Sequence, residues 1–119
     1  MTLKQQYDLL LQAGMTKIKR LYKTAEPYGW GLDSGSECVS LPQSFVRDLI
    51  TMQALRWWQK KPKNKGGYCT HDIEKEFATW RCVAYSVNDD DGGGPYDQYY
   101  PPGGTILEAV IEAVKLDRS

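Results

Sequence analysis

The stretch TWRCVAYSV, residues 79–87, decides the fold class. It is rich in β-branched and aromatic residues, which favour extended backbone. Side chains alternate between the two faces of a strand, so one face holds Trp80, Cys82 and Ala84. A lone strand leaves its backbone groups unpaired, and the chain must therefore build a sheet around this segment.

Helical patterns surround that strand. Apolar residues recur at helical spacing over residues 2–24, 42–61 and 105–116. Residues 28–41 predict a β-hairpin, which turns at Asp33-Ser34-Gly35. Together these segments predict an α+β fold, with one small antiparallel sheet of about three strands packed by three helices.

Residues 70–77 are predicted to form one helical turn, with Thr70 as its N-terminal cap. Residues 88–104 show no periodicity, and a loop of that length in a small domain is usually functional. Helix 105–116 begins with Thr105 and Glu108, which fit a capping box.

Length and composition predict a single soluble domain spanning residues 1–119, since 41% apolar and 25% charged residues are close to the globular average. No run approaches the about 18 apolar residues that a membrane span needs, and MTLKQQYDLLLQAG at the N-terminus does not resemble a signal peptide. Three cysteines without a CxxC pair favour reduced thiols and a cytoplasmic location.

The formal net charge of zero is a cancellation between two halves of opposite sign. Residues 1–70 hold eleven Lys/Arg against five Asp/Glu, whereas residues 71–119 hold four against ten. Such asymmetry steers charged partners towards a protein.

Metal and catalytic patterns are weak. Cys38, Cys69, His71 and Cys82 offer the donors of a Cys3His zinc site, but the spacing Cys69-Thr70-His71 is too tight for a paired-ligand knuckle. Asp89-Asp90-Asp91 does not fit an EF-hand loop. A cysteine beside His71 lacks the third member and the oxyanion glycines of a thiol enzyme. We therefore expect no cofactor, no bound metal and no enzymatic activity. A metal-dependent or thiol enzyme is the third hypothesis for the function.

Residues 56–65, RWWQKKPKNK, hold five positive charges, no acid and two indoles. Cations with exposed rings suit single-stranded nucleic acid, although a solvated helix end is the simpler explanation and the acidic half opposes a phosphate track. The main predicted apolar face of helix 42–61 holds Phe45, Val46, Leu49, Ile50, Met52 and Trp57. Leu55 and Trp58 lie off this face, so the helix is either covered on two sides or presents a second apolar face to a partner or to a second copy in a homodimer. The 88–104 loop adds three tyrosines between prolines. The predicted partner-binding residues are Leu55, Trp58, Lys60, Lys61, Lys63, Lys65, Asp89, Asp90, Asp91, Tyr96, Tyr99 and Tyr100.

Three segments carry a family resemblance: Tyr68-Cys69-Thr70-His71-Asp72, the strand that starts Thr79-Trp80-Arg81-Cys82, and the helix TILEAVIEAV at 105–114. Over residues 66–116 the chain resembles small bacteriophage accessory proteins, specifically the phage α-β-α sandwich family. The resemblance implies an α+β fold and a phage setting. The leading prediction is a non-enzymatic phage or mobile-element factor that docks on and modulates a host protein or complex, for example as a host-defence inhibitor in the host cytoplasm. The alternative is a small nucleic-acid-binding protein using Trp57–Lys65.

Overall fold

A computed structural model describes residues 1–24, 29–33, 38–61, 68–86 and 97–118. The chain divides into two compact units, Met1–Gln53 and Ala54–Ser119. The elements of the described residues, in chain order, are α1 (Leu3–Gln12), β1 (Leu21–Lys23), β2 (Trp30–Asp33), β3 (Cys38–Ser40), α2 (Gln43–Gln59), β4 (Tyr68–Glu76), β5 (Thr79–Ser86), β6 (Gln98–Tyr99) and α3 (Ile106–Arg118).

The first helix is much shorter than the predicted 2–24. Thr2 caps its start in a capping box, but the helix ends at Gln12 because Gly14 has a φ of 108°. The N–H of Met15 reaches back to the carbonyl of Leu10 at 3.0 Å, which is the Schellman arrangement that closes helices. The apolar spacing beyond Gly14 belongs to a loop and a strand, so the prediction of one long helix was wrong.

The first unit contains the three-stranded antiparallel sheet β1-β2-β3. β2 pairs with β3 through Gly31 and Ser40, which confirms the predicted hairpin, while residues 34–37 of its turn lie outside the described part. β1 joins the other side of β2, with Leu21 opposite Leu32. The buried apolar residues of this unit are Leu3, Tyr7, Leu10, Met15, Leu21, Trp30, Val46 and Ile50.

Helix α2 confirms the predicted helix, but its buried stripe differs from the predicted one. The buried residues recur every four positions and are Val46, Ile50, Ala54 and Trp58. Each step of four residues advances about 40° around a helix, so the stripe winds away from the predicted face. Phe45 and Met52, placed in the core by the sequence pattern, are half exposed.

The second unit contains the three-stranded antiparallel sheet β4-β5-β6. The predicted helical turn at 70–77 is wrong: β4 pairs with β5 from Thr70 opposite Tyr85 to Glu76 opposite Thr79. Pairing with β5 outweighs the residues within this segment that favour a helical turn. The predicted strand 79–87 is confirmed as β5, and Gln98–Tyr99 forms β6 within the predicted loop.

Helix α3 confirms the predicted C-terminal helix and packs on β5. Thr105 Oγ1 accepts a hydrogen bond from the Glu108 N–H at 3.1 Å, and the Glu108 carboxylate accepts one from the Gly104 N–H at 3.2 Å. The predicted cap is therefore present, with the return bond displaced by one residue.

The α+β class, the antiparallel pairing and the three helices are confirmed among the described residues. The sheet of about three strands occurs twice rather than once. That residues 1–119 form one domain stays a prediction. No helix of the described residues has the length and apolarity to cross a membrane.

Replacing Gly14 by alanine should lower the free energy of unfolding by about 1 kcal/mol, because a side chain at this φ is strained. A Cβ at this position meets no atom within 4 Å, so the effect isolates backbone strain. Urea titration measures it. Gly104→Ala is the matched control, since Gly104 has no positive φ and its Cβ would meet only the carboxylate of the Glu108 side chain at 3.3 Å. Equal stability of both variants would contradict the assigned cap.

Candidate interaction surface

Trp58 lies at the centre of the core of the second unit and is fully buried. Its Nε1–H donates to the Asp72 carbonyl at 2.8 Å. The His71 and Tyr100 rings each lie nearly perpendicular to its ring system, at centroid distances of 5.2 Å. The predicted role of Trp58 as a partner-binding residue is therefore wrong, because its ring and its N–H are both used inside the fold.

Tyr100 is also part of this core. Its hydroxyl donates to Asp117 Oδ1 at 3.0 Å, which ties the end of β6 to the last turns of α3. Buried in this way, Tyr100 is not available to a partner, and its predicted interaction role is wrong. Tyr99, its neighbour, points the other way and is 50% exposed.

Lys61 is held against the same aromatic group. Its Nζ lies 4.8 Å from the ring centroids of both Trp57 and Trp58, and 3.9 Å from Asp117 Oδ2. This cation is thus partly used within its own unit, while Lys60 is exposed and Leu55 is half-buried. The other predicted partner-binding residues, Lys63, Lys65, Asp89, Asp90, Asp91 and Tyr96, lie outside the described residues.

His71 and Cys82 face this core from neighbouring strands. Burial lowers the pKa of His71, and the positive charge of Lys61 adds to the effect while Asp117 opposes it. Burial raises the pKa of the Cys82 thiol to about 12. At neutral pH the imidazole is therefore neutral and the thiol protonated, and a protonated thiol is a poor nucleophile.

His71 Nδ1 is buried and has no hydrogen-bond partner among the described residues. Within the described part of the chain, no group of three His, Cys, Asp or Glu side chains is arranged to hold a metal ion. The side chains of Cys38 and Cys69, the other two donors considered for a Cys3His site, lie outside the described part.

The most exposed apolar side chain of the described residues stands at the turn between β4 and β5. We call residues 74–81 the hairpin tip. Phe77, the first of its two turn residues, is 95% exposed and has a φ of 56°. Glycine is the usual residue in a hairpin turn at positive φ, and a phenylalanine there is strained.

Charged side chains beside Phe77 contact neighbouring residues of the second unit. Arg81 forms an ion pair with Glu76, and its guanidinium lies 5.9 Å from the Tyr99 ring centroid. On the other face, Lys75 Nζ lies 5.6 Å from the Trp80 ring centroid. These contacts leave out the Phe77 ring, which is 95% exposed.

Sequence reasoning missed Phe77 because Phe-Ala is not a turn dipeptide. The signal that was present is an acidic residue at every second position from Asp72 to Glu76, followed after two residues by a β-rich run, which is the spacing of a tight hairpin. Compared with protein-family models, curated proteins and solved structures, the chain has no match. The resemblance to the phage α-β-α sandwich family therefore stays a prediction.

The buried neutral His71 should make the protein less stable in mild acid. Its folded-state pKa lies below the ordinary 6.5, so its contribution is present above pH 6.5 and is lost as the pH falls through the lower value. Between pH 7 and pH 5.5, His71→Phe should flatten the decline in unfolding free energy that the unchanged protein shows in urea titrations.

The chain has a single histidine, so the difference between the two proteins reports on this residue alone. Parallel declines in the two proteins would mean that the imidazole is as easily protonated in the folded state as in the unfolded chain.

Proposed function

We propose that this chain is a non-enzymatic binding protein that docks on another protein through the hairpin tip. In the setting that the family resemblance implies, it is a phage or mobile-element accessory factor that modulates a host protein or complex in the host cytoplasm. The observation that carries the proposal is Phe77, an aromatic ring at 95% exposure on a strained backbone.

Two features of Phe77 are unfavourable for an isolated chain. A non-glycine residue at positive φ costs on the order of 1 kcal/mol or more, and a solvated ring gains nothing from burial. Glycine would remove both at once. Residues in sparsely populated backbone regions cluster at functional sites, and aromatic rings dominate the energetics of protein interfaces.

The hairpin presents this ring in a way that suits docking. The strands on both sides of the turn are paired from Asp72 opposite Val83 to Glu76 opposite Thr79, so little freedom is lost on binding. Full burial of a phenylalanine contributes about 2–3 kcal/mol, enough to make it a hot spot. The complementary feature on the partner is an apolar pocket that accepts one ring.

For the nucleic-acid alternative, fewer exposed rings and free positive charges are available than the sequence predicts. Trp58 is buried and Lys61 lies against Asp117, which removes one indole and part of the charge from the predicted basic segment. Asp72, Glu74 and Glu76 occupy alternate positions of β4 and share one face of the hairpin with Arg81, which pairs with Glu76. The net charge of these four side chains is negative, which opposes phosphates. These observations favour a protein partner.

Replacing Phe77 by glycine should abolish partner binding without lowering the melting temperature, because the change removes the ring and relieves the backbone. The test compares proteins retained by tagged wild-type and variant chains from a bacterial lysate, using quantitative mass spectrometry. The proposal predicts that retention of a specific partner falls about ten-fold or more.

Phe45→Ala is the matched control, since Phe45 is a half-exposed ring on α2 and should leave the same partner bound. A photo-crosslinking phenylalanine analogue at position 77 should react with that partner, whereas one at position 45 should not. If Phe77→Gly retains the same proteins as wild type, docking through the hairpin tip is refuted.

Changing Lys60, Lys61, Lys63 and Lys65 together to glutamine tests the nucleic-acid alternative. We expect the wild-type protein to bind a generic single-stranded oligonucleotide weakly at physiological salt, and the variant to differ little. Four engaged lysines would instead give a plot of log affinity against log salt with a slope of about −3 in the wild type, and the slope would disappear in the variant. Fluorescence anisotropy at several salt concentrations distinguishes the two results.

A further inference from the structure

A concave pocket lies in the first unit, whereas the hairpin tip belongs to the second. Its volume is about 360 Å³, which lies in the range of small-molecule sites. It is formed by the loop between α1 and β1, by β1 itself and by the end of β2. Its lining residues are Lys17, Ile18, Lys19, Arg20, Leu21, Tyr22 and Asp33.

The lining is strongly cationic. Lys17, Lys19 and Arg20 supply three positive charges against the single carboxylate of Asp33. None of the three cations forms an ion pair with a residue in the described part of the chain. Lys23 shows the contrast, since it is outside the lining and pairs with Asp8. A cluster with a net positive charge attracts anions.

The backbone that carries these cations is fixed from several sides. The Ile18 N–H donates to the Tyr7 hydroxyl at 2.9 Å, and Gln53 Nε2 donates to the Thr16 carbonyl at 3.0 Å. The Asp33 N–H donates to the Arg20 carbonyl at 2.9 Å. A loop pinned at both ends and in the middle loses little freedom when a ligand binds.

Arg20 is held in a strained conformation. Its φ is 68°, in a turn closed by the Leu21 N–H and the Ile18 carbonyl at 3.3 Å. Glycine or asparagine is usual at the third position of such a turn. Here the residue is an arginine, and its side chain forms no ion pair with the described residues. Strained residues of this kind cluster at binding sites.

Tyr22 adds an aromatic wall. A Cβ at Gly31 would lie 2.5 Å from Tyr22 Cζ, so the ring lies directly on the backbone of β2 at a residue that has no side chain. Tyr22 also lines the pocket and is half-buried. One site thus combines three cations with a fixed aromatic ring.

We propose that this pocket binds a small phosphate-bearing molecule that also carries a flat ring, a nucleoside monophosphate being the simplest example. Lys17, Lys19 and Arg20 receive the phosphate, because charge-assisted hydrogen bonds from cations to phosphate oxygens are among the strongest available. Tyr22 packs against the ring of the ligand. This site belongs to the first unit, and its occupancy does not depend on the docking role proposed above.

Isothermal titration calorimetry of the full chain tests the site, with the four common nucleoside monophosphates, inorganic phosphate and adenosine as probes. We expect saturable binding of at least one nucleoside monophosphate. Inorganic phosphate and adenosine should each bind about ten-fold or more weakly, because each supplies half of the contacts.

Arg20→Gly is the decisive variant. It removes a cation and relieves the positive φ, so affinity for the monophosphate should fall about ten-fold or more while the melting temperature does not drop. Arg47→Gln removes an exposed cation on α2 and serves as the matched control, with unchanged affinity expected. Lys17→Gln with Lys19→Gln should weaken binding as Arg20→Gly does.

Three results would overturn the proposal. One is that no monophosphate saturates the wild-type protein. Another is that Arg20→Gly keeps full affinity. The last is that a single-stranded oligonucleotide binds this pocket much more tightly than its monomer, which would assign the cations to a nucleic-acid backbone.

Discussion

The pairing of β4 with β5 is the constraint on which the second unit depends. The register places Ile73 opposite Cys82 and His71 opposite Ala84, so these side chains share one face of the sheet. That face is the one that Trp58 meets, through its ring against His71 and through its N–H to the Asp72 carbonyl. A shift of one residue would turn His71 to the opposite face of the sheet and remove the contact between the imidazole and the indole.

The same register dictates what happens at the other end of the hairpin. Because Glu76 lies directly opposite Thr79, only two residues remain to turn the chain. Two-residue turns that match the twist of antiparallel strands need positive φ, and this requirement falls on Phe77. The burial of Trp58 and the strain at Phe77 are thus two consequences of one alignment, with the core at one end and an exposed ring at the other.

Elements with a complete local pattern were predictable from the sequence. Residues 79–86 alternate and are β-rich, and residues 105–116 combine a cap with one apolar stripe. Prediction failed where a local signal was outweighed. The helical pattern over residues 2–24 continues past Gly14, yet a Schellman arrangement ends the helix there. Residues 70–77 carry a cap and early acids, but pairing with β5 decides their conformation. The pocket around Arg20 was not predicted for the same reason, because residues 17–20 fall within the predicted helix 2–24.

Among the described residues, each unit has one non-glycine residue with a positive φ, Arg20 in the first unit and Phe77 in the second. Both side chains are exposed. Strain of this kind persists only if the surrounding structure enforces it or if the side chain is worth keeping. The surrounding structure explains the positive φ, because the chain has to turn at both places. It does not explain why the residue is arginine or phenylalanine, because glycine forms the same turn without strain. Glycine would supply neither the cation of Arg20 at the pocket nor the exposed ring of Phe77. Binding through both side chains is the explanation that we propose, and an increase in stability with a loss of binding on changing either residue to glycine is the signature that separates this explanation from a purely structural one.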